Sequence, residues 1–478
     1  MSWIDRHELD GRVPPEWRTS SSLREAVQKH WAEHPAKLVV LDDDPMGAQT
    51  LSDVQVLTDW RPDNLQVAFR GPGHLFYILT NTRAYGAAQA QAVNREVVQA
   101  VQVVARQTGT PFEFLSRSDS TLRGHYPLDI DVMAQSLTEY GERGPDAHLV
   151  VPAYLEEGRV TYHGVQYLQR GTRLIPVSET EYAQDHAFGF GTAKLADWIE
   201  EKSAGRMRAS DCLELRLETV RQGPDAVVAV LRTTRRNTAV ICDALSYADL
   251  DVLSIAVLRA RGEGKRLLFR TASSFIKSYS GQPEASGWID SVPVPPELRS
   301  RGALVIVGSH ASGTTRQLEH ALAAVPLHHQ QLNVQRLMVP QERARELARV
   351  AGPVTMTLSE GRHAVVSTTR DPVRGVDPAG TLQIGQAVSD ALVALVQSLG
   401  TAPRMLVAKG GVTARELAAR GLGIRRAHVL GQIVSGVSVW QGDSASRWAG
   451  MPYIVFPGNV GDDLALRQLL RRILPELS

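Results

Sequence analysis

The stretch PFEFLSRSDSTLRGHYP, Pro111–Pro127, opens on a largely apolar run and then turns to serines, an aspartate, a threonine, two arginines and a glycine. An apolar run of this length, stopped by turn-forming residues, reads as a buried strand. The polar half admits two readings. Ser, Asp and Thr are good N-caps, so the cluster can end a strand and start a helix and do no more. Alternatively it holds a small anion: Arg117 and Arg123 carry forked donors suited to carboxylate or phosphate, and Ser118, Ser120 and Thr121 add neutral hydrogen bonds.

The same grammar recurs along the first half of the chain. KLVVLDDD (Lys37–Asp44), HLFYILTNTR (His74–Arg83), AHLVVPAY (Ala147–Tyr154) and AVICDAL (Ala239–Leu245) are apolar runs that stop at polar residues. Helix-like segments such as AAQAQAVNREVVQAVQVVAR (Ala87–Arg106) lie between several of them. Strands alternating with helices predict a parallel sheet covered on both faces, with ligands beyond the carboxyl ends of the strands. The acids, hydroxyls and arginines all stand at those ends.

SGWIDSVPVPPELRSRG, Ser286–Gly302, is rich in proline and polar residues and reads as a linker. Beyond it the pattern restarts with ALVIVGSHASGTT (Ala303–Thr315), where a helix is expected from about Thr315, then AVVSTTR (Ala364–Arg370), RMLVAKGG (Arg404–Gly411) and YIVFPGNVGDD (Tyr453–Asp463). The expected fold class is α/β, with two domains, each a mostly parallel sheet flanked by helices. The expected boundaries are an N-terminal extension over 1–36, a first domain over 37–290 and a second over 300–478.

Composition agrees with two sizeable cores. The chain has 478 residues, 43% of them hydrophobic, more than one core commonly supports. Its 52 basic and 51 acidic side chains leave a formal net charge of +1, and no basic stripe marks a nucleic-acid surface. The start, MSWIDRHELDGRVPPEW, carries charges where a signal peptide needs an apolar core, and no apolar run approaches a membrane span. A cytoplasmic location without membrane association is the expectation. Cys212 and Cys242 are too few for a disulfide framework or a cysteine zinc site.

Three glycine-bearing loops follow strands in the second half: VGSHASG (Val307–Gly313), KGGVT (Lys409–Thr413) and PGNVGDD (Pro457–Asp463). Glycine lets backbone approach phosphate oxygens, and a following helix N-terminus aims free amides at the anion, though strand-to-helix turns also use glycine for steric reasons. Three such loops in one domain suggest a nucleotide site. Lys409 is one of only seven lysines, in a chain that otherwise uses arginine for positive charge. It reads either as a flexible point charge near phosphate or as a solvated strand-end lysine. GEGKR at Gly262 lacks the upstream glycine of a P-loop, and neither GFGTAK nor GLGIRR completes GxGxxG. HExxH and GxSxG are absent as well.

In the first half, Asp42, Asp43 and Asp44 end a strand just before PMGAQT. Clustered carboxylates repel, which raises one pKa toward that of a general base, or they hold magnesium; alternatively one caps a turn and the others are solvated. Opposite Arg117, Arg123 and Arg159 they suit a polyhydroxy acid, the arginines taking its carboxylate and an aspartate a hydroxyl proton.

These residues resemble the four-carbon acid sugar kinase family from about Lys37 to the end of the chain. DDDPMGAQT with SDVQVLT, SRSDSTLRGHYPLD, VPAYLEEGRVTYHGVQYL, IPVSETEYAQD, VGSHASGTTRQLE, KGGVTARELA and VFPGNVGDDLAL occur in the family's order. The resemblance implies ATP-dependent phosphorylation of a sugar acid such as threonate, erythronate or a 3-oxo-tetronate, with ATP and Mg2+ as cofactors. It also implies an N-terminal acid-binding domain, a C-terminal nucleotide-binding domain and an active site in the interdomain cleft. By motif, Asp43, Asp44, Gly47, Asp119, Ser120, Thr121, Arg123, Gly124, Gly158 and Arg159 line the acid side. Ser309, Gly410, Gly411, Val412, Thr413, Gly458, Asn459 and Gly461 hold the nucleotide, with Lys409 beside them. Asp44 is the first choice of proton acceptor, Asp43 its partner and Asp119 the rival; the metal ligands are left unassigned.

Two departures stand out. Met46 replaces the threonine of the family's DDxTG loop, and RTASSF (Arg270–Phe275) stands where relatives carry a glycine-rich turn. The chain is also longer, through its N-terminal extension and insertions around Ala187–Glu214. Apart from the resemblance, an NAD-dependent hydroxy-acid dehydrogenase and a non-catalytic sugar-acid sensor are the competing readings. A homodimer is compatible with the sequence.

Overall fold

Lys37–Asp42 is buried at every position, and so are Leu75–Leu79, Ala147–Val151 and Leu267–Thr271. Burial on both faces is what a parallel sheet between helical layers imposes on its strands, and it explains their unbroken apolar runs. The structure, a computed structural model, describes residues 3–44, 51–139, 141, 143–283, 287–371, 373, 378–458, 460–474 and 476, with side chains left out at 20 and 378–382. The chain divides into two units, one of residues Met1–Thr50 and Trp60–Ser286, the other of Leu51–Asp59 and Gly287–Ser478.

Among the described residues of the first unit, seven parallel strands lie in the order Leu213–Leu215, Thr238–Cys242, Ala147–Val151, Leu267–Thr271, Phe112–Arg117, Lys37–Asp42, Leu75–Leu79. From Lys37–Asp42 the chain steps outward to Leu75–Leu79, then returns to Phe112–Arg117 on the other side. The order therefore reverses between Lys37–Asp42 and Phe112–Arg117, the place where open α/β sheets leave a crevice at the carboxyl edge. The register sets Asp42 opposite Arg117 and Arg117 opposite Thr271.

The helix Tyr247–Gly262 starts with a Ser246/Asp249 capping box and is buried on nearly every side. The reason is a second helix, Ser20–Glu33, laid on its outer face. Arg24 reaches from that helix to Asp251 at 2.7 Å, both side chains almost fully buried, and Trp31 Nε1 donates to the Tyr279 carbonyl at 2.7 Å. Ile4–Asp5 pairs with Arg173–Pro176 at the edge of a small antiparallel sheet completed by Val165–Arg170 and Arg159–Tyr162. The N-terminal segment, expected as an extension over 1–36, is thus tied into this unit by strand pairing and a buried ion pair.

Among its described residues the second unit joins five parallel strands to an antiparallel flank. Its order is Leu327–Leu332, His363–Thr368, Leu304–Val307, Leu406–Lys409, Pro452–Phe456, Val437–Gly442, Arg426–Val434, Val54–Leu57. The last strand departs from the expected run of 37–290 as one block. Leu51–Asp59 clusters with the second unit because Val54–Leu57 pairs antiparallel with Arg426–Val429. The helix expected from about Thr315 begins earlier, at Ser312. Among the described residues no helix is long and apolar enough to cross a membrane.

Replacing Arg24 by methionine removes the guanidinium from buried Asp251, which keeps the Ser278 hydroxyl. Urea unfolding is expected to show a loss of about 3–5 kcal/mol; a loss below about 1 kcal/mol would mean that the N-terminal helix is only loosely attached.

Candidate active site

Four strands of the first unit deliver charge to one edge. Lys37–Asp42 ends in Asp42 and leads to Asp43 and Asp44; Leu75–Leu79 leads to Arg83; Phe112–Arg117 ends in Arg117 and leads to Asp119; Leu267–Thr271 supplies Arg270. Arg83 binds them together. Its Nη2 lies 2.8 Å from Asp43 Oδ1 and 3.2 Å from Asp44 Oδ2, and its Nη1 lies 3.7 Å from Asp119 Oδ1. Arg117 Nη1 stands 3.1 Å from Asp42 Oδ1 and 3.9 Å from Asp43.

The SDSTLRG loop is shaped by its own aspartate. Asp119 Oδ2 accepts from the Thr121 hydroxyl, from Arg123 N at 3.3 Å and from Arg123 Nε at 2.7 Å. Leu122 takes a left-handed conformation, φ 69°, inside this turn and is fully buried. Arg270, with no exposed surface, donates to the Asp119 carbonyl at 2.8 Å, while buried Gln166 donates to the carbonyls of Ser120 and Pro152, both at 2.9 Å. The N-cap reading falls away, because the next helix starts only at Leu128. Gly124, φ 122°, brings the loop against the acids: a Cβ there would meet Asp43 Oδ2 at 3.0 Å.

These contacts split the carboxylates. Burial pushes Asp42 up to about 7, against the charge of Arg117, with Asp43 and Asp44 adding to the rise. Burial would raise Asp119 as well, but Arg83 and Arg123 and its hydrogen bonds outweigh it and hold that carboxyl well below the usual range. Asp44 keeps the most exposed side chain of the three that face Arg83, 28% against 11% for Asp43 and 12% for Asp119.

The structure brings together Asp43, Asp44, Asp119, Thr121, Arg123 and Gly124, with Ser120 buried in the same loop. Arg123 also approaches Asp185 at 3.6 Å and lies over the Tyr182 ring. Arg159 is the exception: it pairs with Glu157 at 3.2 Å, covers Tyr154, and makes no ion pair with the aspartates among the described residues. Gly158 beside it turns at φ 67°, where a Cβ would lie 2.9 Å from Gln169 Cβ. Met46, Gly47 and Asn459 lie outside the described residues. Among the described residues no group of three or more His, Cys, Asp or Glu side chains is arranged to hold a metal ion. Sequence reasoning missed Arg83 and Gln166, although Arg83 closes HLFYILTNTR and obeys the same strand-end rule.

In the second unit the three glycine loops leave adjacent strands at one level, since Val307, Lys409 and Phe456 are in register. They touch. A Cβ on Gly458 would meet Ser309 Oγ at 2.9 Å, and one on Gly410, φ 122°, would meet Thr413 Oγ1 at 3.1 Å and Ser309 Cβ at 3.2 Å. The Thr314 hydroxyl donates to the Gly458 carbonyl at 3.0 Å. Gln317, also missed in sequence, holds the third loop through the carbonyls of Val460, Gly461 and Asp462. Gly411 faces open space, with no atom of a neighbouring element within 4 Å of a Cβ placed there, and Val412 beside it is exposed.

Lys409 fits neither reading offered for it. It has no exposed surface, donates to the Pro457 carbonyl at 2.6 Å, sits 3.6 Å from the centre of the Phe456 ring, and is lowered to about 7 by burial. It is a staple under the third loop, neither solvated nor flexible.

Comparison with known proteins agrees with this division. A sugar-binding N-terminal domain profile matches residues 38–279, and a nucleotide-binding C-terminal domain profile matches residues 304–466. A sugar-binding domain followed by a nucleotide-binding domain defines the class. The chain belongs to the four-carbon acid sugar kinase family. It is 26% identical over 412 residues to a D-erythronate kinase of Heliobacterium modesticaldum, covering 82% of this chain and 88% of that one. Two solved structures share the fold: a Salmonella typhimurium LT2 protein, TM-score 0.67 at 18% identity over 91% of this chain and 99% of that one, and a Haemophilus influenzae protein, TM-score 0.61 at 16% identity over 90% and 98%.

The low Asp119 pKa has a signed consequence. A carboxyl depressed by folding stabilises the native state above its unfolded value of about 4 and loses that contribution as the pH falls through the folded one. Urea unfolding of wild type and Asp119→Asn is expected to differ most at neutral pH, and the gap should close progressively below about pH 4. A gap of constant size at every pH would contradict the assignment.

Proposed function

We propose that the protein is an ATP-dependent kinase that phosphorylates a hydroxyl of a small sugar acid, a four-carbon acid such as threonate, erythronate or a 3-oxo-tetronate. The observation that carries this reading is a pairing of two sites of opposite character. An arginine–aspartate cluster closes the carboxyl edge of the unit matched by the sugar-binding profile. Three touching glycine loops occupy that edge in the unit matched by the nucleotide-binding profile. The D-erythronate kinase relative supports the substrate class.

In this reading Arg123, fixed by Asp119 and Asp185, offers its outer nitrogens to the substrate carboxylate, and the aspartates take its hydroxyls. The glycine loops hold the ATP phosphates, with Mg2+ arriving on the nucleotide. The substrate oxygen forms a bond to the γ-phosphorus as the bond from that phosphorus to the β,γ-bridging oxygen breaks, and ADP leaves. The hydroxyl proton passes to a carboxylate. Asp44 is the proposed acceptor, since it is the most exposed of the acids around Arg83, whereas Asp119 is held ionised by two arginines and accepts a proton poorly. Positioning and charge neutralisation supply most of the rate.

A coupled ADP-release assay over four- to six-carbon sugar acids tests the activity. Turnover is expected with at least one four-carbon acid; no ADP release with any of them, or NAD reduction instead, would refute the reading. Asp44→Asn keeps the shape and removes the basic oxygen, so kcat should fall about 100-fold or more with KM for the acid little changed. Near-normal kcat in Asp44→Asn together with a large loss in Asp119→Asn would move the base to SDSTLRG.

Gly411→Val separates the two sites. A Cβ at this position meets no neighbouring element within 4 Å, so the fold should survive while backbone approach to the nucleotide is blocked. Calorimetry is expected to show ATP binding abolished and sugar-acid binding retained; unchanged ATP affinity would remove the KGGVT loop from the nucleotide site.

A further inference from the structure

Arg370 ends the AVVSTTR segment, just past the strand His363–Thr368, which pairs in parallel with Leu304–Val307. This places it beside the VGSHASG loop. Its guanidinium is already committed on one side: Nη2 donates to the Ser309 carbonyl at 2.5 Å and to Thr315 Oγ1 at 2.9 Å, and Nε donates to Thr315 Oγ1 at 3.2 Å. The other side is not. Among the described residues Nη1 is buried without a hydrogen-bond partner, and no carboxylate stands within ion-pair distance of it.

That combination is costly unless something completes it. Burial lowers the Arg370 pKa, the nearby charge of Glu319 only partly opposing this. A half-buried guanidinium with an unused N–H pair gains most from an anion, since charge-assisted bonds to phosphate are among the strongest it makes. The loop it holds is the one whose Ser309 side chain abuts both Gly410 and Gly458. The helix Ser312–Ala324 that follows has no side chain capping its first turn.

We infer that Arg370 binds a phosphate group of the nucleotide through Nη1 while its other nitrogens fix the Ser309–Thr315 turn. The inference rests on the proposed nucleotide site in the second unit and adds to it a charged phosphate ligand. The glycine loops otherwise offer backbone amides, hydroxyls and the His310 imidazole, whose pKa is lowered by burial and by Arg370, and Lys409 turns its ammonium to the Pro457 carbonyl.

The test compares ATP with adenosine, which shares the base and sugar and lacks the phosphates. Calorimetry on the full chain is expected to show ATP binding weakened about tenfold or more in Arg370→Gln, with adenosine binding unchanged and partial recovery in Arg370→Lys. A merely structural role would weaken ATP and adenosine alike. That result, or ATP affinity within about twofold of wild type in Arg370→Gln, would overturn the inference and leave the nucleotide site standing. If wild type itself binds neither ATP nor adenosine, the nucleotide reading fails and the role of Arg370 fails with it. Should Arg370→Gln not fold, Arg370→Lys decides: the lost fork should cost ATP severalfold and adenosine nothing, and equal affinities would refute the role.

Discussion

The carboxyl edge of the first unit depends on one guanidinium. Asp43, Asp44 and Asp119 arrive from two different strands and would repel one another in a site shielded from water, yet Arg83 stands within 4 Å of all three. Arg117 does the same for Asp42 across the neighbouring strand pair. The arrangement differentiates the acids: one is pushed up to about 7, one is held ionised, and Asp44 is left the most exposed of those around Arg83. A site built this way carries several acids without their mutual repulsion opening the sheet edge.

The second unit meets the opposite requirement. Its three loops come so close that side chains would collide: a Cβ on Gly308 would fall 2.2 Å from Thr413 Oγ1, and one on Gly458 2.9 Å from Ser309 Oγ. Glycine at these positions is demanded by protein-to-protein contact, before any ligand is considered. Gly411 differs, because only open space faces it. That difference leaves Gly411 the glycine whose freedom from packing contacts suits it to face a ligand.

Much of this was legible in the sequence because a parallel sheet buried on both faces writes its strands as uninterrupted apolar runs and leaves its chemistry at their ends. DDD, SRSDSTLRG, VGSHASG, KGG and PGNVG all fall where that rule puts them. What escaped depends on long-range pairing. Arg83 stands alone in TNTRA, and only the fold reveals that it reaches acids about forty and thirty-six residues away in sequence. Gln166 and Gln317 act through backbone carbonyls, which carry no residue-type signal. The transfer of Leu51–Asp59 to the second unit rests on pairing with a strand more than 360 residues later. Lys409 misled because its burial is decided by Phe456 and Pro457, on the adjacent strand and the loop after it. Arg159, which follows a glycine as a binding arginine would, is taken up by Glu157 two residues before it.

The central claim is that the two units divide the work, one holding a sugar acid and the other a nucleotide. A crystal structure of the full chain with a four-carbon sugar acid and a non-hydrolysable ATP analogue tests this directly. The account predicts the acid at the carboxyl edge of the first unit, with its hydroxyls on Asp43 and Asp44 and its carboxylate toward Arg123. It predicts the phosphates against the Ser309–Gly313, Gly410–Thr413 and Gly458–Gly461 loops. An acid bound away from the Arg83 cluster, or a nucleotide bound in the first unit, would contradict it.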